Sequence, residues 1–375
     1  MIDTIRIMSP YISKDAELAV YRLCKMHRLL VNTETGQIEW EFFSGEIRDS
    51  WDSRISLRIV DEEVFRQNGV PMKRKSVHAR LCVECSIHKA MLGHNVFGGP
   101  ERIKPAVRWL IDELEIAMNC DLPDSMEWEL QRIDWAEIFQ YSAVRAWFKC
   151  LKHLYYPRRG ESAIKWEDTS FWVSTSMVYV KCYQKGPEFM QHDYKKIVQC
   201  KGVPMAELLK QVSNNMLRFE VEIRSRKLKQ IHKVEHRDVL IKEVNDELLK
   251  EVWVSEMGKI LQFEMNVTEI YCDTYAVHKR LQVTDMTKRK QLALMGTWQM
   301  FSTLGEEHCK EMIPKSTLMR HKLELKKLGI SWSSTDSMLI KEDVIAWVPK
   351  LGCDEHIGGE AREISVLLDI CENAM

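Results

Sequence analysis

The chain has 375 residues, 45% of them hydrophobic, and Lys+Arg 54 against Asp+Glu 55 leaves a formal net charge of −1. That balance excludes a uniformly cationic protein that coats nucleic acid, and 12 Trp beside only 16 Gly and 10 Pro exclude a disordered or collagen-like chain. The length suggests two or three domains with real cores. No apolar run approaches the roughly 18 to 20 residues of a membrane helix. Met1 to Met8 contains an early acid and no apolar signal region, so it reads as a strand, and a cytoplasmic location is expected. The 11 cysteines are scattered, and the single CxxC, Cys82 and Cys85, lacks a second pair or a matching His pair, which points to free thiols rather than zinc or disulfides.

In chain order, Ile2–Ile12 is apolar and β-branched, Leu29–Phe43 has the pattern of a hairpin turning at Thr35-Gly36, and Ile55–Val60 and Val77–Ile87 read as further strands. Over Glu101–Met118, Val107, Leu110, Ile111, Leu114 and Met118 recur at helical spacing, with Pro105 in the first turn. Then follow a strand over Trp128–Phe139, a helix over Ser142–Tyr155, a strand over Phe171–Tyr183, a short helix over Pro187–Gln199 and a strand over Met216–Leu228. The predicted class is α+β, a mainly antiparallel sheet with helices covering one face.

Beyond about Val234 strand signals fade. Asp238–Gln262, Lys288–Thr303 and Ser316–Leu328 are helical in pattern, and Gly329 stands where a helix C′ glycine belongs. The expected division is a domain over 1–235, a mostly helical one over 236–350 and an acidic tail over 351–375.

Alternation along four strands assembles one polar face. It collects Glu84; Arg132 with Asp134; Tyr179, Lys181 and Tyr183; and Arg218, Glu220, Glu222 and Arg224. A solvated sheet face with salt-bridge ladders explains any one strand. Tyrosine and lysine beside clustered carboxylates are also what a metal-assisted phosphoryl transfer to a tyrosine oxygen requires. Hard carboxylate oxygens suit Mg²⁺ or Mn²⁺, and Lys185 or Lys181 would lower the tyrosine pKa or stabilise transition-state charge.

Leu92-Gly93-His94-Asn95-Val96-Phe97-Gly98 closely resembles the L-x-G-H-N-x-F-G signature of filamentous bacteriophage gene II replication initiators. Val83-Glu84 precedes it, and Arg132-Ile133-Asp134, the W-x-x-T-S segment Trp166 to Ser170, the Y-x-K-x-x-E-like Tyr183 to Glu188 and Leu217-Arg218-Phe219-Glu220 follow in the family's order; the Met-Ile-Asp start is shared too. The resemblance covers about residues 1–230 and implies a rolling-circle initiator. Such an enzyme nicks one strand of a supercoiled circular origin by tyrosine attack, keeps the 5′ phosphate as phosphotyrosine and later rejoins the displaced strand.

Carried over, the nucleophile falls on Tyr183 with Lys185 as its cation, and the metal ligands on Glu84, His94 and Asp134, with Glu220 as substitute. Without the resemblance, His94 reads as a turn residue. Glu188 either orients Lys185 or caps the following helix. Tyr179, with no family counterpart, is a stacking or structural residue. The H-x-H pair of many rolling-circle nucleases is missing, so any metal site here is carboxylate-rich.

Expected DNA contacts are Lys73, Arg74, Lys75 and Arg80 leading into the Glu84 strand, Arg224, Arg226 and Lys227 leaving the Glu220 strand, and Arg132 and Arg218, which pair either with carboxylates or with phosphate. The segment 288–328 has helix-turn-helix proportions, with Leu318, Met319, Leu323, Leu325 and Leu328 inward and Arg320, His321, Lys322, Lys326 and Lys327 outward. Thr317, Arg320 and His321 would then read base edges, although a bundle helix with a basic face has the same pattern. The implied partners are origin DNA, single- and double-stranded, a host polymerase and helicase, and other copies of the chain on DNA, in a bacterial cytoplasm. Two rivals remain: a hydrolytic metal nuclease and a non-catalytic DNA-binding regulator.

Overall fold

The computed structural model describes residues 1–31, 38–47, 55–67, 70–140, 163–166, 169–261, 269–271, 273–332, 339–340 and 346–347. The helix expected over Ser142–Tyr155, the hairpin turn at Thr35-Gly36 and the acidic tail lie outside these residues.

The chain begins with β1 (Ile2–Tyr11), α1 (Lys14–Leu23) and a run of antiparallel strands, β2 (Cys24–Val31), β3 (Ile38–Ile47), β4 (Ile55–Gln67) and β5 (Val70–Ser86). The last two extend well beyond the expected segments, and Lys73, Arg74 and Lys75 stand opposite Val64, Glu63 and Glu62 in their ladder. Next come α2 (Ile87–Leu92), α3 (Ile103–Met118) and β6 (Glu129–Gln140). The apolar spacing anticipated for α3 is realised, with Val107, Leu110, Ile111, Leu114 and Met118 all buried.

After β7 (Ala163–Trp166), the single strand expected over 171–183 is two, β8 (Ser170–Ser174) and β9 (Val178–Gln184). Thr175 makes the turn: its Oγ1 accepts from the backbone N–H of Met177 at 3.2 Å and of Val178 at 3.0 Å. The helix expected over 187–199 also divides, into α4 (Lys185–His192) and α5 (Tyr194–Lys201), followed by α6 (Val203–Ser213). β10 (Met216–Arg224) ends earlier than expected, because Ser225 opens α7 (Ser225–His232) and its Oγ donates to Asp238 at 2.5 Å.

The sheet runs β2-β3-β4-β5-β1-β6-β10-β9-β8-β7, with the two-residue strands Val239–Leu240 and Ala346–Trp347 added beside β6, twelve strands among the described residues. All of its ladders are antiparallel. One face carries the main core, in which Ile133, Val180, Phe171, Phe219 and Val221 pack with residues of α1, α3, α7 and α8 (Asp246–Leu261). Burying one such aromatic or aliphatic side chain contributes roughly 1.5 to 3 kcal/mol.

Helices also reach the other face, which corrects the one-face expectation. Ala136 and Ile138, in register with Asp134, are apolar and must be covered. They pack with Val96, Phe97 and the apolar sides of α4 to α6 in a second cluster. Among the described residues the polar face is thus roofed at one end.

A third cluster, Val277 to Trp332, is formed by α9 (Thr274–Gln282), α10 (Lys288–Met312) and α11 (Lys315–Lys327). The expected turn falls at Gly305, whose φ of 80° and ψ of 161° break α10. Met319 is 59% exposed rather than inward, and Lys322 pairs with Glu306. His321 shares a hydrogen bond of 2.7 Å with Thr297 Oγ1, so it faces α10 rather than solvent.

Candidate active site

The strand ladders bring Tyr183, Lys181, Glu220, Asp134, Arg132 and Glu84 onto one face. Tyr183 stands opposite Arg218 and Lys181 opposite Glu220 between β9 and β10; Glu222 stands opposite Asp134 between β10 and β6. Val178, Val180 and Cys182 belong to the core, so the alternate residues Tyr179, Lys181 and Tyr183 take the polar side.

At the centre, Tyr183 Oη donates to Glu220 Oε2 at 3.3 Å. Glu220 Oε1 accepts from Lys181 Nζ at 2.5 Å, and Oε2 lies 3.4 Å from Arg218 Nε. Burial is the largest influence on the Glu220 pKa and works to raise it, but Lys181 and Arg218 together outweigh it and the net shift is downward, so the carboxylate stays ionised. Burial pushes the Tyr183 hydroxyl well above its ordinary pKa, only partly offset by Arg218. The phenol is therefore not activated by a lowered pKa, one of the two expected roles of the neighbouring lysines, and depends on an acceptor for its proton.

Arg218 is fully buried. It lies 2.7 Å from Asp3 Oδ1 and donates to the Asn95 carbonyl at 3.1 Å. Of its two expected partners, carboxylate and phosphate, the structure shows carboxylates: a buried guanidinium held by Asp3 and Glu220 organises the site from within. Asp3 reaches it through a bulge. Both Ile2 and Ile5 pair with core residues of β6, Trp135 and Ile133, leaving Asp3 and Thr4 opposite the single residue Asp134.

Lys185 is likewise fully buried. Nζ donates to Asn95 Oδ1 at 2.6 Å and to Glu188 Oε2, and lies 3.7 Å from Asp193 Oδ2. Glu188 thus holds Lys185, one of its two expected roles, while standing in the first turn of α4. Asn95 also donates to Asp3 Oδ1 at 3.2 Å, so the G-H-N loop ties the two buried cations together. Nearby, His88 is buried, with Nε2 on the Phe97 carbonyl at 2.8 Å, and Gly99, at φ +101°, fits against its ring. Burial, with Arg218, holds His88 well below its ordinary pKa and so neutral.

Along the rest of the face, Arg132 grips Asp134 with Nε at 2.7 Å and Nη2 at 2.6 Å, and reaches Glu84 at 3.0 Å and Glu222 at 3.1 Å. Arg6 holds Glu84 at 2.8 Å. Burial raises the Asp134 carboxyl to about 7 against the pull of Arg132.

The four expected metal ligands do not fit Mg²⁺ or Mn²⁺ as they stand. Glu84, Asp134 and Glu220 each have a guanidinium or ammonium within 3.4 Å. His94 sits against Phe97, its Nδ1 accepting from the Val96 N–H at 3.3 Å. Among the described residues no group of three or more His, Cys, Asp or Glu side chains is placed to hold a metal.

Of the other expected DNA contacts, Arg80 pairs with Glu129 at 2.8 Å, and Arg224 donates to Glu222 at 2.8 Å and to the Thr175 carbonyl at 2.8 Å. Arg226 and Arg320 are exposed, and Lys227 and Thr317 are half-buried. The side chains of Lys73, Arg74 and Lys75 lie outside the described ones. Sequence reasoning missed Asp3, Arg6, Asn95 and Asp193 as site residues. The signal for two of them was present, in the Met-Ile-Asp start and in the asparagine of G-H-N.

The described residues contain no helix long and apolar enough to cross a membrane. Comparison with curated proteins gives no match, and neither does comparison with solved structures. The family model for the N-terminal region of the replication-associated gene II protein matches residues 1–247. The chain therefore belongs to this family, that of the filamentous phage gene II replication initiators, whose partner is DNA.

Proposed function

We propose that the protein initiates rolling-circle replication by nicking one strand of its origin with Tyr183 and later rejoins the displaced strand. The observation that carries this is the hydrogen bond from Tyr183 Oη to Glu220, a buried carboxylate kept ionised by Lys181 and Arg218. Glu220 takes the phenolic proton as Tyr183 attacks the scissile phosphorus. The bond from phosphorus to the 3′ oxygen breaks, that oxygen takes a proton from solvent and leaves as a 3′-OH, Glu220 returns its proton to solvent, and the 5′ phosphate stays on the tyrosine. Attack by a 3′-OH on the phosphotyrosine reverses these steps and closes the circle.

Lys185 acts as a fixed cation two residues from the nucleophile, held by Asn95, Glu188 and Asp193. No step is assigned to a metal. The domain division at 235, origin reading by α11 and association with host replication proteins belong to the same proposal. Exposed Arg226 and Arg320 support a DNA-facing surface on α7 and α11.

The test is Tyr183→Phe on supercoiled DNA bearing the origin. Wild type is expected to give open circles and a protein–DNA adduct, and the variant neither. A variant that nicks at the wild-type rate would show that water is the nucleophile.

A further inference from the structure

Among the described residues Trp172, Tyr179 and Tyr183 stand on the polar face of the sheet, and of these Tyr183 has the part in the nicking chemistry. In the ladder between β8 and β9, Trp172 stands opposite Lys181, Ser170 opposite Tyr183 and Ser174 opposite Tyr179. Phe171 and Val173, on either side of Trp172, are in the main core, so Trp172 takes the opposite face and lies in the row between the two tyrosines. Trp172 and Tyr179 are both half-buried. Lys181 Nζ lies 5.5 Å from the centre of the Tyr179 ring and Arg224 Cζ 5.9 Å from it.

A large indole and a phenol among the ion pairs of this face belong to neither the main core nor the second cluster. They present π-surfaces beside cations, Trp172 one row and Tyr179 two rows from the nucleophile. Bases of a paired duplex cannot lie on such a surface, whereas bases of an unpaired strand can, and every base has a face to stack.

Resting on the nicking reading, we infer that Trp172 and Tyr179 form a stacking platform for the unpaired DNA bases that flank the scissile phosphate. Lys181 and Arg224 contribute cation–π and phosphate contacts beside it.

The test uses the full-length chain and fluorescence anisotropy with fluorescein-labelled dT12 and with the same oligonucleotide carrying two adjacent abasic positions. Wild type is expected to bind the intact oligonucleotide about 5- to 150-fold more tightly per base stacked. Trp172→Ala and Tyr179→Ala should each reduce that preference without changing the salt dependence, and Trp172→Phe should keep most of it. Equal binding of the two oligonucleotides by wild type, or an undiminished preference in both alanine variants, would overturn the inference. Tyr183→Phe should retain the base preference. Nicking by that variant would overturn the nucleophile assignment and leave the platform standing, whereas lost base preference in wild type would do the reverse.

Discussion

Replacing Asp3 by asparagine removes one charge and almost no volume. Asp3 is 6% exposed, and its carboxylate lies 2.7 Å from an Arg218 guanidinium that is itself 0% exposed. After Asp3→Asn, Arg218 retains Glu220 at 3.4 Å, but that carboxylate already serves Lys181 and Tyr183. Breaking a buried ion pair from one side costs about 3 to 5 kcal/mol, and the remaining partner places this case near the lower figure. At roughly 2 to 4 °C per kcal/mol, the melting temperature should fall by about 6 to 12 °C, followed by circular dichroism at pH 7.

The pH dependence has a definite sign. Burial opposes ionisation of Asp3, but Arg218 and Lys89, with the hydrogen bond from Asn95, outweigh it and hold its pKa well below the usual carboxylate range. The stabilisation is thus full above the unfolded-state value of about 4 and is lost as pH falls below it. The gap between wild type and Asp3→Asn should close in acid. As a control, Glu307→Gln removes an exposed partner of Lys310 and should change the melting temperature little. An Asp3→Asn protein melting within about 2 °C of wild type at pH 7 would refute the buried-pair reasoning.

Gly99→Ala should destabilise by about 1 to 3 kcal/mol, measured as a denaturant midpoint, because φ is +101° and a Cβ would meet the His88 ring at 2.9 Å. Lys181→Met frees Asp134 and Glu220 from their shared ammonium; thermal stabilisation by Mn²⁺ should then appear in the variant and be weaker in wild type, as followed by melting with and without EDTA. Burial lowers the Lys326 pKa to about 8, so protonation opposes folding, and the melting temperature of wild type relative to Lys326→Met should rise as pH increases from 7.5 to 10. Arg226→Ala should weaken DNA binding across sequences and reduce the slope of log affinity against log salt by about 1.

Much of the sheet was legible from local pattern. Strict alternation in β9 and β10 put Tyr183, Lys181 and Glu220 on one side, because a period of two leaves no other choice. Strand ends were less legible: a hydroxyl turn at Thr175 and a cap-like contact from Ser225 to Asp238 cut two long apolar runs, and both depend on partners that alternation does not reveal. The burial of Arg218 and Lys185 was not legible either. It follows from the roof of α4 to α6 over one end of the polar face, and from a bulge in β1 that turns Asp3 across to β10. The same long-range packing placed guanidinium and ammonium groups where metal ions were expected.

The central claim is that Tyr183 becomes covalently joined to DNA. Incubating the full-length protein with an origin oligonucleotide carrying ³²P at the scissile phosphate, followed by proteolysis and sequencing of the labelled peptide, measures it directly. The label is expected on the peptide containing Tyr183 and to be absent in Tyr183→Phe. Label on a peptide without Tyr183, or release of all label as a free 5′ phosphate end, would contradict it.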